Sequence, residues 1–248
     1  MITLHRQATD YGEITILRSR DSGSYLYCQD GSYQSEADSR GVSLASYVHA
    51  IHGLVTQYGA KDVLIIGCAG GTLATMLTFS GARVCVVDVN PASIVFARRY
   101  FSLPDSVPFH LSDGQTFLRE TSMAFDAIVV DAYVGSEIPA HFRSQAFFKT
   151  ALRRLAANGL VLFNVHLADD LDQAADAVGT EMMLAGLRTQ ILDTPGAVLR
   201  NAIVLGGAIA TLRKPGVEMP PESSATEIAE ELDRMRFRPC RCLPAESR

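Results

Sequence analysis

Residues 62–71 read Asp-Val-Leu-Ile-Ile-Gly-Cys-Ala-Gly-Gly. Four apolar residues run into a glycine-rich turn, and Thr72-Leu-Ala-Thr-Met-Leu-Thr-Phe79 then reads as a helix. A strand, a tight turn and a helix start commit the chain to an α/β unit. They also form the usual cradle for a nucleotide-like ligand, because a helix N-terminus offers free N–H groups. Gly67, Gly70 and Gly71 let the backbone approach such a ligand closely. Glycines in a βα turn can also serve packing alone, so a second signal is needed. It comes 17 residues after Gly71, where the apolar run Arg83-Val-Cys-Val-Val-Asp88 ends in an acid. A carboxylate there can accept both hydroxyls of a ribose. The Gly-x-x-Gly-Gly spacing differs from the Gly-x-Gly-x-x-Gly of dinucleotide sites, which disfavours NAD. Together the two features point to an adenosine-type cofactor.

From Asp62 the pattern becomes strand–helix repeats. Strands are expected at 62–66, 83–88, 107–111, 126–131 and 160–165, with helices at 72–80, 91–101, 114–119 and 144–157. Asn90-Pro91 is a helix start, with Asn capping and Pro at the first helical position. Asn158-Gly159 reads as the stop before the fifth strand. Alternation of this kind means a parallel sheet covered on both faces. The apolar runs 189–193 and 201–206, joined by Thr194-Pro-Gly, are expected to pair antiparallel at one edge. Upstream, residues 12–38 alternate and turn like short antiparallel strands, and 43–58 have helical apolar spacing. Residues 214–224 read as a linker. Residues 225–236 read as an amphipathic helix with Ile228, Leu232 and Met235 on one face.

A net charge of −5 over 248 residues gives no basic footprint, so nucleic acid is not an expected partner. No apolar run approaches the roughly 20 residues that span a bilayer, so no membrane role is expected. The first ten residues lack the apolar core of a signal peptide. Cys68 and Cys85 fall in apolar segments, where cysteine behaves as a small hydrophobe. Cys240-Arg-Cys242 is too close for a zinc pair and no second pair exists, so no metal is expected. The expectation is a reducing, cytoplasmic protein.

Ligands of a doubly wound sheet sit outside the carboxyl ends of its strands. Asp88, Asp113, Asp131 and Asn164 all fall at or just past those ends. Taken singly, each is as well read as a solvated strand-end group or a helix cap. Four in register with a glycine turn form a site. Asp113 is placed to read an adenine edge, and Asp131 lies where a cofactor's reactive centre would be. Of the histidines, His141 and His166 follow strands four and five and can line the same pocket. His49, on the first helix, reads as a boundary residue.

Residues 11 to about 207 resemble the spermidine synthase-like branch of the class I S-adenosylmethionine-dependent transferases. The matching words are Gly67-Cys-Ala-Gly-Gly, Val87-Asp-Val-Asn-Pro, Ser112-Asp-Gly-Gln-Thr-Phe-Leu and Phe125-Asp-Ala-Ile-Val-Val-Asp. Ile138-Pro-Ala-His-Phe, Ala146-Phe-Phe-Lys and residues 155–164 also fit, as do Tyr33-Gln-Ser-Glu-Ala-Asp38 and Tyr47 upstream. The resemblance implies a Rossmann-like class I methyltransferase fold, with a mostly parallel seven-stranded sheet. It divides the chain into a small N-terminal β domain (1–42), a cofactor-binding domain (43–213) and a linker with a helical tail (214–248). It implies that Gly67, Ala69, Gly70 and Gly71 pass under the cofactor, with Asp88 and Val89 at the ribose. Asp113 and Gly114 would then face the adenine, and Gln34 would line the donor pocket. Asp131, with Tyr133 and His166, would serve the reaction.

Two departures bear on the substrate. Spermidine synthases carry an Asp just before the final Gly-Gly, pairing with the amine of the donor's aminopropyl arm; this chain has Ala69. They carry a second Asp three residues after the strand-four Asp, contacting the diamine acceptor; this chain has Val134. A doubly cationic polyamine needs several carboxylates, because an unpaired buried charge is costly. The reading that follows is transfer of a methyl or related alkyl group from S-adenosylmethionine to a small, less cationic amine. Aminopropyl transfer from decarboxylated S-adenosylmethionine, cleavage or cyclisation of the cofactor itself, and a non-catalytic cofactor-binding protein remain as alternatives. A small-molecule acceptor and a homodimeric assembly are compatible with this reading.

Overall fold

The computed structural model describes residues 1–135 and 137–244. The last four residues of the expected tail lie outside the described residues. Four antiparallel strands open the chain: β1 (Ile2–Thr9), β2 (Gly12–Arg18), β3 (Tyr25–Gln29) and β4 (Ser32–Ala37), in that spatial order. Sequence alternation finds β2 to β4 but not β1. Almost every β1 side chain is exposed, so no buried face imprints a period of two on it. Ser43 and Leu44 stay extended against Ala37 and Glu36. The first helix, α1 (Ser46–Tyr58), therefore starts three residues later than its apolar spacing suggests. It ends at Gly59 in the left-handed conformation that glycine adopts at low cost.

The alternation then runs β5 (Asp62–Ile66), α2 (Thr72–Phe79), β6 (Arg83–Asp88), α3 (Pro91–Tyr100), β7 (Phe109–Leu111), α4 (Gly114–Glu120), β8 (Phe125–Val130), α5 (Gln145–Leu152) and β9 (Leu155–Leu167). The remaining elements are α6 (Ala174–Leu184), β10 (Thr189–Asp193), β11 (Arg200–Gly207), α7 (Ala225–Arg234) and β12 (Arg236–Pro239). The second sheet has the order β12-β10-β11-β9-β8-β5-β6-β7. Strands β5 to β9 are parallel, and β10 to β12 are antiparallel additions. Neighbouring strand residues point to opposite faces. Val63, Ile65, Val84 and Val86 pack under α1, α2 and α7, while Leu64, Ile66, Cys85 and Val87 pack under α4 to α6. The N-terminal sheet docks on α3 through Ile14, Ile16, Tyr27, Phe96 and Phe101.

Three expectations need correction. The sheet has eight strands rather than seven, because residues 236–239 of the expected helical tail pair with β10. Helix α5 stops at Leu152, and Asn158-Gly159 lies inside β9 rather than ending a helix. Phe125 pairs with Leu155 but Ala127 with Leu160, so the extra residues bulge out, with Asn158 left-handed at φ 66°. His49 is a fully buried residue rather than a boundary one, with its Nε2 2.7 Å from the Ser43 carbonyl. Burial pushes its imidazole below the usual range. The Asn90 cap is found as expected, its side chain accepting from the Ala92 N–H at 3.1 Å.

Candidate functional site

The chain turns from β7 back across β5 to reach β8, so the topological switch point lies between the carboxyl ends of β5 and β8. Gly67 and Asp131 sit there. Gly67 has φ 99°, and a Cβ on it would run into the Asp131 backbone carbonyl. A Cβ on Gly70 would lie 2.9 Å from the Ser35 Cβ, and one on Gly114 would run into the Ile66 side chain. These glycines are therefore needed first for close packing of the chain on itself. What they build is a floor of main chain under two adjoining cavities.

The smaller cavity, about 300 Å³, is lined by Asp88, Val89, Asp113, Gly114 and His141. The larger, about 430 Å³, is lined by Glu36, Tyr47, Asn164, His166 and Asn201. Gln34, Gly67, Cys68, Ala69, Asp131 and Tyr133 line both. Every residue expected at the site therefore faces one cavity or both, except Gly70, which packs beneath the turn. Gly71 lines the larger cavity.

Asp88 accepts the Cys68 N–H and the Asn90 N–H, each at 2.7 Å, one on each carboxylate oxygen. Burial pushes its carboxyl up, and these backbone donors pull against that. Asp113 is a helix cap as well as a lining residue. It accepts the Thr116 N–H at 2.9 Å, and His141 Nε2 lies 2.8 Å from its other oxygen. Burial works to raise this carboxyl, but the Thr116 and His141 contacts outweigh it and hold the group below the usual range.

Asp131 stands at the junction of the cavities. Asn164 Nδ2 donates to its Oδ1 at 2.8 Å and the Tyr47 hydroxyl to its Oδ2 at 3.2 Å. Burial pushes the Asp131 carboxyl up, while these two donors favour the ionised form. A half-buried carboxylate raised by desolvation and held by neutral donors can accept a proton from a nearby ligand. The Tyr133 hydroxyl is committed to β9, accepting the His166 N–H at 2.9 Å and donating to the Asn164 carbonyl at 3.3 Å. Burial raises it far above neutrality, so it stays protonated and acts as a strut. The His166 side chain is exposed at the rim of the larger cavity.

Asn201 was not found by sequence reasoning, and Tyr47 entered as an apolar position of the first helix and as part of the resemblance, not as a partner of Asp131. Tyr47 meets a carboxylate 84 positions away, and a single amphipathic pattern records no such pairing.

Residues 46–168 match the model of the spermine/spermidine synthase domain. Over those residues the chain resembles the spermidine synthase-like branch of the class I transferases. Among its spermidine synthase-like relatives is the polyamine aminopropyltransferase of Chromobacterium violaceum, 28% identical over 166 residues. That alignment spans 64% of this chain and 62% of that protein. An eEF1A lysine and N-terminal methyltransferase homolog of Drosophila melanogaster is 33% identical over 121 residues, 46% of this chain and 17% of that one. The chain thus spans under two thirds of the length of these curated relatives. In structure, a probable spermidine synthase from Corynebacterium glutamicum superposes with a TM-score of 0.75 at 18% identity, covering 96% of this chain and 90% of that one. The spermidine synthase of Thermotoga maritima gives 0.65 at 16% identity, with coverages of 92% and 84%. The spermidine synthase-like fold is thereby shown across nearly the whole chain.

Within that fold the two departures acquire geometry. Ala69 lines both cavities and is left-handed at φ 44°, a conformation that Gly, Asn and Asp adopt more readily than Ala. Val134 is 55% exposed and lines only the smaller cavity.

Proposed function

We propose that this chain transfers an alkyl group from an adenosyl sulfonium of the S-adenosylmethionine class to a small amine. The observation that carries this reading is Asp131, a half-buried carboxylate with both oxygens held, at the junction of two adjoining cavities. The nucleoside end of the donor would lie along Asp88 and Val89, and the acceptor in the larger cavity. The acceptor nitrogen forms a bond to the donor carbon, and the carbon–sulfur bond breaks with its electron pair going to sulfur. The proton of the amine passes to Asp131 and then to solvent. The sulfonium is already a good electrophile, so alignment and exclusion of water are the protein's contribution.

Two features bear on the donor and pull in opposite directions. Neither cavity is lined by a Lys or Arg among the described residues, whereas Glu36, Asp88, Asp113 and Asp131 all face them. The N–H groups of Gly70 and Gly71 are bonded to Ser35 and to the Cys68 carbonyl. A donor carboxylate would meet acids and few free donors, which supports the decarboxylated donor and aminopropyl transfer. Ala69 removes the acid that would hold the arm's amine, which supports the intact donor and methyl transfer. We rank aminopropyl transfer first, because an unpaired carboxylate costs more than a missing contact. With Val134 in place of an acid, the acceptor would be a singly charged amine. Incubation with each donor, followed by mass spectrometry of the nucleoside product, separates the two. Methylthioadenosine reports transfer or loss of the three-carbon arm, with an aminopropylated amine marking transfer, and S-adenosylhomocysteine reports methyl transfer. Failure of both products with a panel of small amines would sink the reading.

Two variants follow. Asp88→Ala is expected to lower donor affinity at least tenfold by calorimetry, from loss of charge-assisted bonds of about 1.5–3 kcal/mol. Unchanged affinity would remove the ribose role. Ala69→Asp places a residue in a backbone conformation that suits it and restores a carboxylate. Its affinity for the decarboxylated donor relative to the intact one is expected to rise about tenfold. A ratio that does not move would place the arm's amine elsewhere.

A further inference from the structure

Asn201 makes no hydrogen bond to Asp131, yet it is one step removed from the carboxylate. In the antiparallel pairing of β9 and β11, Asn201 lies opposite His166 and Ile203 opposite Asn164. Asn164 and Asn201 are thus diagonal neighbours on one face of the sheet, within reach of each other's side chains. Asn201 Nδ2 donates to Asn164 Oδ1 at 2.9 Å, and Asn164 Nδ2 donates to Asp131 Oδ1 at 2.8 Å. Asn164 is only 2% exposed, so water does not compete for its amide.

A primary amide has an acceptor end and a donor end of almost equal size, exchanged by a half-turn. The carboxylate alone favours the donor end. A protonated acid would accept either, and turned around, the amide oxygen would favour that protonated form. With the Asn164 oxygen claimed by the amide of Asn201, a half-turn of Asn164 alone would bring two NH2 groups face to face, so reorienting the end shown to Asp131 takes two coupled half-turns instead of one. We propose that Asn201 is a positioning residue for Asp131: through Asn164 it fixes the amide end presented to the carboxylate and so keeps that group ready to take a proton. The orientation holds whatever the reaction; its catalytic meaning rests on the function proposed above.

Other groups facing Asp131 have to be kept apart from this effect. The Tyr47 and Tyr133 hydroxyls and the Cys68 thiol are pushed up by burial and stay neutral. Glu36 and His166 line the same cavity. The experiment therefore uses Asn201→Leu, which keeps the shape without the donor, in the full chain and again in a His166→Gln background. The side-chain carboxyl carbon of Asp131 is followed by NMR as a function of pH, with Asp131→Asn fixing the assignment. The expected result is an upward shift of the Asp131 midpoint by about one pH unit in both backgrounds. The acidic limb of the pH–rate profile is expected to move with it. Asn201→Ser, which returns a donor, is expected to restore part of the shift. An unchanged midpoint in Asn201→Leu overturns the proposal. Should that variant not fold, Asn201→Ala is read in the same way. A shifted midpoint in a protein that forms no product with either donor leaves Asn201 its role and removes the transferase reading. Product formation with an unmoved midpoint does the reverse.

Discussion

Asp131→Asn is expected to lower turnover by about 10²–10⁴ while leaving donor affinity nearly unchanged. The substitution keeps the size of the side chain and one acceptor oxygen, and removes charge and basicity. Donor affinity should persist because the ribose and adenine contacts are assigned to Asp88 and Asp113 in the smaller cavity, which Asp131 only borders. The competing expectation is that Asp131 merely ties the loop after β8 to its neighbours. It bonds Asn164 on β9 and Tyr47 on α1, so it does join three elements. In that case the variant loses thermal stability, and turnover per folded molecule stays constant. Donor affinity, melting temperature and product formation on the same sample distinguish the two. A variant that turns over normally would leave the amine's proton without an acceptor.

Arg238→Met is expected to cost about 3–5 kcal/mol of stability, read as a lower denaturant midpoint. Arg238 reaches Asp176 at 2.9 Å through Nη1 and Asp193 at 3.1 Å through Nε. Both acid side chains are only 3% exposed. Asp193 keeps Arg200, whose Nε lies at 2.8 Å, but among the described residues the Asp176 carboxylate keeps only the Arg241 N–H at 2.7 Å. Removing one member of a buried charged group strands the rest, which is worse than never having built it. The pH dependence carries a sign. Burial would raise Asp193, but Arg200 and Arg238 outweigh it and hold its carboxyl below the usual range. Its contribution is full above the unfolded value near 4 and is lost as pH falls through the lower folded value. The wild-type chain should therefore lose stability below about pH 4, and the variant should show less of that loss. An unchanged midpoint would mean that β12 contributes no stability through this residue.

The parts of the fold visible in the sequence are those whose burial is periodic or continuous. Residues 62–66, 83–88 and 126–130 are apolar runs because both faces of those strands are covered. Strand β12 reads Arg-Phe-Arg-Pro and gives no such signal. One of its arginines is apolar in no sense, and is inside only because two acids from α6 and β10 meet it there. Asn158-Gly159 was misread because the same dipeptide that ends helices also admits a left-handed bulge. In the site, the strand-end acids were visible because their position follows from topology alone. Tyr47 and Asn201 were not, because their meaning depends on which side chains face them across the sheet. The glycines were legible as a turn, while the packing they serve appears only with Ile66, Ser35 and the Asp131 carbonyl in place.

The main-chain floor formed by Gly67 and the Asp131 carbonyl has an evolutionary consequence. A floor of peptide groups wedged against one another cannot be deepened or reshaped by point substitution, since even a methyl group on Gly67 has no room. Divergence toward new acceptors is thus confined to the walls: β4, α1, the segment after β8, β9 and β11. These walls come from stretches far apart in the chain, so one can drift without the others. Such an arrangement lets a lineage exchange one acceptor for another in small steps while the place where the bond is made stays fixed.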